Sequence, residues 1–305
     1  MDLYFPIANM SLPIYVPLLI GGAVGVLSGL FGIGGGFLMN PLLIMFGVPP
    51  TVAVATGTLQ ITASSISGAF ANWRRGTADP AMALVMVGGG LFGALVGNWV
   101  FVILKGLGQI DLVISLAYVI LLGTMGAMMM NESIRAIIRR RKNTMVRRKL
   151  HAHGWMHGLP LKVKFRKSRL YISVFLPGGL GMVVGIMTAI MGVGGGFLAV
   201  PAMIYLMGMP TTLTIGTSLL QITMVSAAVV YLHALTTQGV DLVLALMLII
   251  GGVAGAQVGA LYAQRMRGEE MRFLLALVVL AVCAYVAYGL VIRPDELYTI
   301  EYSAI

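Results

Sequence analysis

The residues best placed to do chemistry in this chain lie in two short patterns, each present twice. Gly32-Ile33-Gly34-Gly35-Gly36-Phe37-Leu38 returns 160 residues later as Gly192-Val193-Gly194-Gly195-Gly196-Phe197-Leu198, and a proline follows each copy, Pro41 and Pro201. Thr56-Gly57-Thr58-Leu59-Gln60-Ile61-Thr62 returns at an offset of 161 as Thr217-Ser218-Leu219-Leu220-Gln221-Ile222-Thr223. A helix that starts just after such glycines presents free N–H groups and a partial positive charge. Glycine also lets a solute come close to the backbone, so the solute such a place suits is an anion. Gly34, Gly35, Gly36, Gly194, Gly195 and Gly196 are therefore the candidate backbone ligands. Asn40, Thr56, Thr58, Gln60, Thr217, Ser218 and Gln221 are the candidate side-chain donors. A glutamine deep in an apolar run needs a partner, because an unpaired buried amide costs about 2 kcal/mol or more. It bonds either a neighbouring helix or a polar substrate. The competing reading of the glycines is close helix packing; their repetition beside a polar patch favours the ligand.

The elements that must hold these residues are set by composition. Of 305 residues, 59% are hydrophobic and 10% charged, against roughly 25% charged in a soluble domain. Residues 3 to 73 and 170 to 240 contain no Asp, Glu, Lys or Arg. At about 1.5 Å per residue each run gives over 100 Å of helix, enough for three crossings of a bilayer core about 30 Å thick. The chain is expected to be an all-α polytopic membrane protein. Breaks at the glycine runs and at Pro49-Pro50 divide the first half into segments near 12–32, 37–47, 51–73, 80–104 and 110–130. The second half divides into 171–191, 197–208, 212–235, 241–264 and 273–292. The expected organisation is a first transmembrane repeat over 1–130, a basic cytoplasmic loop over 131–170 and a second repeat over 171–305.

Thirteen of the 20 basic residues fall between positions 135 and 169, which places that loop in the cytoplasm by the positive-inside rule and allows contact with anionic headgroups. The same charge pattern argues against a nucleic-acid partner. Five crossings per half put Arg74 and Arg75 on the loop side and make the halves an inverted repeat with helices broken at the glycine motifs. If 37–47 and 197–208 are instead re-entrant, the halves become parallel; the inverted version is preferred. The absence of Lys and Arg before Arg74 leaves no basic region for a cleaved signal peptide, so the first segment is expected to stay as a span. Spaced small residues such as Gly21/Gly25 and Gly255/Gly259 point to close helix contacts, within the chain or between protomers of a homodimer.

Several activities lack their residues. There is no phosphate loop of the Gly-Lys-Ser/Thr type, and the lone Cys283 permits neither a disulfide nor a thiolate metal site. No catalytic group, metal site or cofactor is expected. Asp79, Asp111 and Asp241 fall at segment ends, so no buried acid relay for protons is evident. His233 reads as a packing histidine, and the 22 methionines as apolar filling rather than a copper path. Hydroxyl, amide and backbone donors without buried acids suit an anion.

The doubled Gly-Ile/Val-Gly-Gly-Gly-Phe-Leu motif ending in Pro41 and Pro201, with its paired Thr/Ser and Gln segments, resembles the TauE/SafE family of sulfite and organosulfur anion exporters over nearly the whole chain. The resemblance implies an inner-membrane permease for sulfite, sulfonates or related sulfur oxyanions. The loop over 131–170 is longer than the compact form of that family needs. A membrane-embedded sensor signalling through the basic loop is the alternative of a different class.

Overall fold

In the computed structural model, residues 2–31, 36–141, 161–165, 167–168, 170–263 and 268–291 are described. Gly34 and Gly35, most of the basic loop, and Arg265 and Arg267 lie outside them. Two short strands, β1 (Asp2–Phe5) and β2 (Met10–Pro13), precede helices α1 (Tyr15–Phe31), α2 (Gly36–Met45), α3 (Pro50–Arg74), α4 (Pro80–Gly106) and α5 (Ile110–Arg141). Then β3 (Lys162–Phe165) and β4 (Leu170–Ser173) precede α6 (Phe175–Met191), α7 (Gly196–Tyr205), α8 (Thr211–Thr236), α9 (Leu242–Ala263) and α10 (Gly268–Val291). The ten described helices match the ten expected segments in order. α4, α5, α8, α9 and α10 contain stretches long and apolar enough to cross a membrane. α2 and α7 have 10 residues each, about 15 Å of helix, half the thickness of the hydrocarbon core.

Helix starts follow local chemistry. α3 and α4 begin on Pro50 and Pro80, where a missing N–H costs nothing and φ is already helical. Asp79 caps α4, its Oδ1 accepting from the amides of Ala81 and Met82 at 3.2 and 3.3 Å. Asp241 does the same for Val243 and Leu244 at 3.1 and 3.0 Å. Pro41 and Pro201 lie inside α2 and α7, each removing a hydrogen bond from an already short helix.

The halves interlock rather than sit side by side. α1 packs on α9, and α6 packs on α4; α3 pairs with α8 and α5 with α10. Under the repeat, α1 with α9 is the counterpart of α6 with α4, so each half buries its first helix against the other half's fourth. Glycine makes that possible. A Cβ on Gly25 would stand 2.3 Å from the Gly252 carbonyl oxygen, and one on Gly185 would stand 2.1 Å from that of Gly90. Backbones this close pack through van der Waals contact, the main attraction available between helices in lipid. These small-residue contacts are therefore within the chain.

Two hairpins had no counterpart among the expectations. β1 pairs antiparallel with β2 from Asp2↔Pro13 to Phe5↔Met10, and β3 with β4 from Lys162↔Ser173 to Phe165↔Leu170. Every paired position in the second hairpin is 160 residues after its mate in the first, so the structural correspondence starts before the helices. Phe5 and Phe165 are both buried. The second hairpin starts within the stretch assigned to the loop, because its lysines and arginines mask the alternation of a strand. α5 also runs on to Arg141, past the end of the apolar segment at Asn131. Around the bundle, Leu84, Phe92, Trp99, Leu246, Ile250 and Leu261 are exposed, as a lipid-facing surface requires.

Candidate functional site

The two glycine motifs, far apart in sequence, meet in the interior. Phe37 and Phe197, the first residues after the glycines, stack with ring centroids 4.2 Å apart and planes 12° apart. A Cβ on Gly36 would lie 3.1 Å from the carbonyl oxygen of Val193. In the second half the chain leaves α6 at Met191, turns through residues 192–195 and enters α7 at Gly196. Gly192, Gly194 and Gly195 have φ of +67°, +72° and +70°, a left-handed region in which other residues are strained. The amides of Leu198 and Ala199 reach the carbonyl of Gly195 at 3.1 and 2.8 Å. Those of Gly196 and Phe197 have no acceptor among the described residues, as the first turn of any helix dictates.

Apolar side chains lie against the glycines of the turn. Ile61 would be 2.1 Å from a Cβ on Gly36 and 2.6 Å from one on Gly194, and Val184 would be 2.0 Å from one on Gly195. Glycine therefore serves two purposes at this point, turning the chain and admitting Ile61 and Val184 against the backbone.

The other end of the turn is held by polar groups. The Asn40 Nδ2 donates to the carbonyls of Met191 and Gly192 at 2.9 and 3.1 Å and lies 3.0 Å from the Tyr118 hydroxyl. Tyr118 in turn donates to the Met191 carbonyl. Both side chains are fully buried, and together they cap carbonyls that α6 leaves without intrahelical partners. Asn40 is thereby committed to the protein rather than free for a ligand, apart from its Oδ1, which has no partner and faces Gly57 at 1.7 Å from where a Cβ would be. Sequence reasoning missed Tyr118, the single tyrosine of α5; its position 161 residues before Val279 gives no repeat signal.

The Thr/Ser/Gln segments divide in the same way. The Thr58, Thr217 and Ser218 hydroxyls donate to their own helix carbonyls of Val54, Leu213 and Ile215 at 2.6, 2.6 and 3.0 Å, the usual local choice for such side chains. Thr56 and Thr217 also accept across the repeat, from the backbone N–H of Asp241 and of Asp79, each at 3.0 Å. A second reciprocal pair tightens α3 against α8: Thr62 bonds Ser226 at 2.9 Å and Thr223 bonds Ser65 at 3.1 Å. Each half thus holds the start of the other half's fourth helix.

The glutamines are different. Gln221 is fully buried, and neither its Nε2 nor its Oε1 has a partner in the described structure. Gln60 is nearly buried, makes no hydrogen bond to a described residue, and stands with Nε2 3.0 Å from where a Cβ on Gly252 would be. The next residue after each glutamine lies against Gly194, with the Cγ2 of Ile61 and of Ile222 at 2.6 and 3.6 Å from where a Cβ would be. Buried polar atoms are paired in the great majority of cases, so an orphaned amide one residue from the glycine turn is the outstanding polar feature here.

His233 behaves as a packing residue: its Nε2 lies 3.0 Å from the Ala189 carbonyl and its ring meets Phe101 edge-on at 4.7 Å. Cys283 is buried on α10 and reaches the Val119 carbonyl at 3.4 Å. One expectation needs correcting. Asp79 and Asp241 do lie at helix ends, yet each is only 1% exposed, because the hydrogen bonds that their backbone N–H groups donate to Thr217 and Thr56 tuck those ends into the interface between halves. Their spacing of 162 residues, shared with Gly93 and Gly255, was the signal that could have paired them.

Known proteins similar to this chain are membrane transporters by name. Residues 17–286 match the family described as "Sulfite exporter TauE/SafE". The chain is 27% identical over 266 residues to the "Probable membrane transporter protein YjnA" of Bacillus subtilis strain 168, covering 86% of this chain and 95% of that one. It is 27% identical over 272 residues to a "Probable membrane transporter protein" of Xylella fastidiosa strain 9a5c, covering 88% and 92%. A shorter stretch of 80 residues is 39% identical to the "Sulfite exporter TauE/SafE family protein 3" of Arabidopsis thaliana, 26% of this chain and 17% of that one. No solved structure matches. With the family match spanning both halves, their interlocked helices and the paired glycine motifs, this chain belongs to the TauE/SafE family of multi-pass membrane transporters.

Proposed function

We propose that this protein is a secondary transporter of the plasma membrane that moves a small sulfur oxyanion, sulfite or a sulfonate, out of the cytoplasm by alternating access. The halves act as an inverted repeat, and α1–α2 and α6–α7 as helices broken at the glycine motifs. Such breaks at depth are tolerated where they are buried or line a cavity, and transporters commonly place substrate there. The observation that carries this reading is Gln221, fully buried with neither amide atom paired to a described residue and next in sequence to Ile222, whose Cγ2 lies 3.6 Å from where a Cβ on Gly194 of the glycine turn would be. An anion reaching this place takes N–H groups from Gly196 and Phe197 and the amide of Gln221, with Gln60 its repeat counterpart. A hydrogen bond to a charged group is worth about 1.5–3 kcal/mol. Ile61 and Val184 cover the glycines in the arrangement described, so movement of one half against the other is what uncovers them. An inside-negative potential drives an anion outward by about 2.3 kcal/mol per charge per 100 mV, which suits export.

The test is flux of labelled sulfite and of a short sulfonate across proteoliposomes holding the full chain. Wild type moves at least one of them above empty vesicles, and Gln60→Leu and Gln221→Leu, inserted at the same level, move neither. Unchanged flux in both variants takes the glutamines out of the site. A protein that binds sulfite without turnover is a sensor instead.

A further inference from the structure

The repeat is even-handed in its glycines and one-sided in what holds them. Three side chains from three different helices converge on the last turn of α6. His233 of α8 meets the Ala189 carbonyl at 3.0 Å. Asn40 of α2 donates to those of Met191 and Gly192 at 2.9 and 3.1 Å, and the Tyr118 hydroxyl of α5 donates to that of Met191. All three side chains are fully buried. The places that correspond to them in the repeat are Asn72, Val200 and Val279. The valines have no donor to offer, and the Asn72 Nδ2 donates to Gly68 of its own helix at 2.9 Å. Those residues therefore provide α1 with no equivalent clamp.

Stopping α6 does not require this arrangement. Gly192, left-handed at φ +67°, already ends the helix by returning its N–H to the Thr188 carbonyl at 2.8 Å, an ordinary glycine stop. A carbonyl at a buried helix end needs one donor; that of Met191 has two, and the two donors are themselves joined, the Asn40 Nδ2 lying 3.0 Å from the Tyr118 hydroxyl. The stretch that follows is what needs fixing. Gly194 and Gly195 are also left-handed, and glycine's freedom of φ and ψ leaves such a turn with little stiffness of its own. Only residues 193–195 separate Gly192 from Gly196, so a small rotation at the end of α6 swings the N–H groups of Gly196 and Phe197. Hydrogen bonds weaken steeply with misalignment, and donors held in place bind an anion better than donors that must first be gathered.

We propose that Tyr118 is a positioning residue for the transported anion. Joined to Asn40, it fixes the Met191–Gly192 end of α6 and so sets the direction of the Gly196 and Phe197 N–H groups that the anion takes. Tyr118 acts through the turn and does not touch the anion itself. This rests on the transporter reading above.

The test is the concentration dependence of labelled sulfite flux, and of a short sulfonate, in proteoliposomes holding the full chain, read beside the thermal midpoint of the purified protein. Tyr118→Phe keeps the ring and removes only the hydroxyl. A hydrogen bond to a charged group contributes about tenfold or more to affinity, so loosening these donors should raise the half-saturating concentration about tenfold while maximal flux stays within about twofold. Asn40→Leu shifts half-saturation in the same direction. Ser65→Ala removes the bond that Thr223 makes between halves at 3.1 Å without reaching the turn; it lowers the midpoint and leaves half-saturation unchanged. Tyr118→Phe that lowers the midpoint alone, or lowers maximal flux at an unchanged half-saturating concentration, overturns the positioning role. So does Ser65→Ala that raises half-saturation as much as Tyr118→Phe does. If neither anion crosses with wild type, half-saturation is read from the rise in midpoint that the anion causes. An anion that binds without crossing refutes the transporter reading and leaves Tyr118 to be judged by the same shift; an anion that does not bind wild type at all refutes both.

Discussion

Gln221 offers a direct test of whether this site is kept for function at the expense of stability. Its side chain is fully buried with neither amide atom paired to a described residue, so folding strips the amide of water and the described residues return no partner. The penalty for one such group is about 1–3 kcal/mol. Gln221→Met keeps the length and flexibility of the side chain but removes both polar atoms, so most of that penalty should be recovered and little packing lost. The expected result is a variant more stable than wild type by about 1–3 kcal/mol, seen as a rise of a few degrees in the thermal midpoint of the purified protein. Anion flux in proteoliposomes should disappear in the same variant, a trade-off common at functional positions. Saturating sulfite should narrow the gap in midpoint, because ligand binding stabilises wild type alone. A Gln221→Met protein less stable than wild type would refute the reasoning, since it would mean that the amide is satisfied within the folded protein.

Two further outcomes follow from contacts to glycine. Gly57→Ala puts a Cβ 1.7 Å from the Asn40 Oδ1 and should displace the cap on Met191 and Gly192, at a cost of about 3 kcal/mol or more. Adding Asn40→Ala should cost less than the sum of the two single changes, as a double-mutant cycle on thermal stability will show. On α1, Gly25→Ala drives a Cβ to 2.3 Å from the Gly252 carbonyl oxygen, whereas the nearest atom for Gly22→Ala is 3.8 Å away. The first should abolish the folded peak in size-exclusion chromatography, and the second should leave it unchanged.

The helices themselves were legible because lipid leaves the chain few options. An apolar run without charge has to satisfy its own backbone, which makes it helical, and Pro49-Pro50, Pro80 and the glycine motifs mark where the helices stop and restart. The pairing of β3 with β4 was not legible, since Lys162, Lys164 and Arg169 make the segment read as a charged loop, and only its register against β1–β2 reveals it as part of the repeat. At the site, local spacing identified the glycines and the glutamines but could not say who bonds whom. The hydroxyls of Thr58 and Ser218 turn back on their own helices, and Asn40 goes to the end of α6 together with Tyr118.

The amino-acid sequence by itself determined that this is a membrane-embedded bundle of helices built from two related units, because hydropathy and repetition are properties of the chain. Only the tertiary structure decided which polar atoms remain available. Both amide atoms of Gln221 and the Asp241 Oδ2 are without a partner among the described residues, whereas the Asn40 Nδ2 and the Asp79 Oδ2 have theirs, and that difference depends on which groups of the other half lie within about 3 Å, the reach of a hydrogen bond.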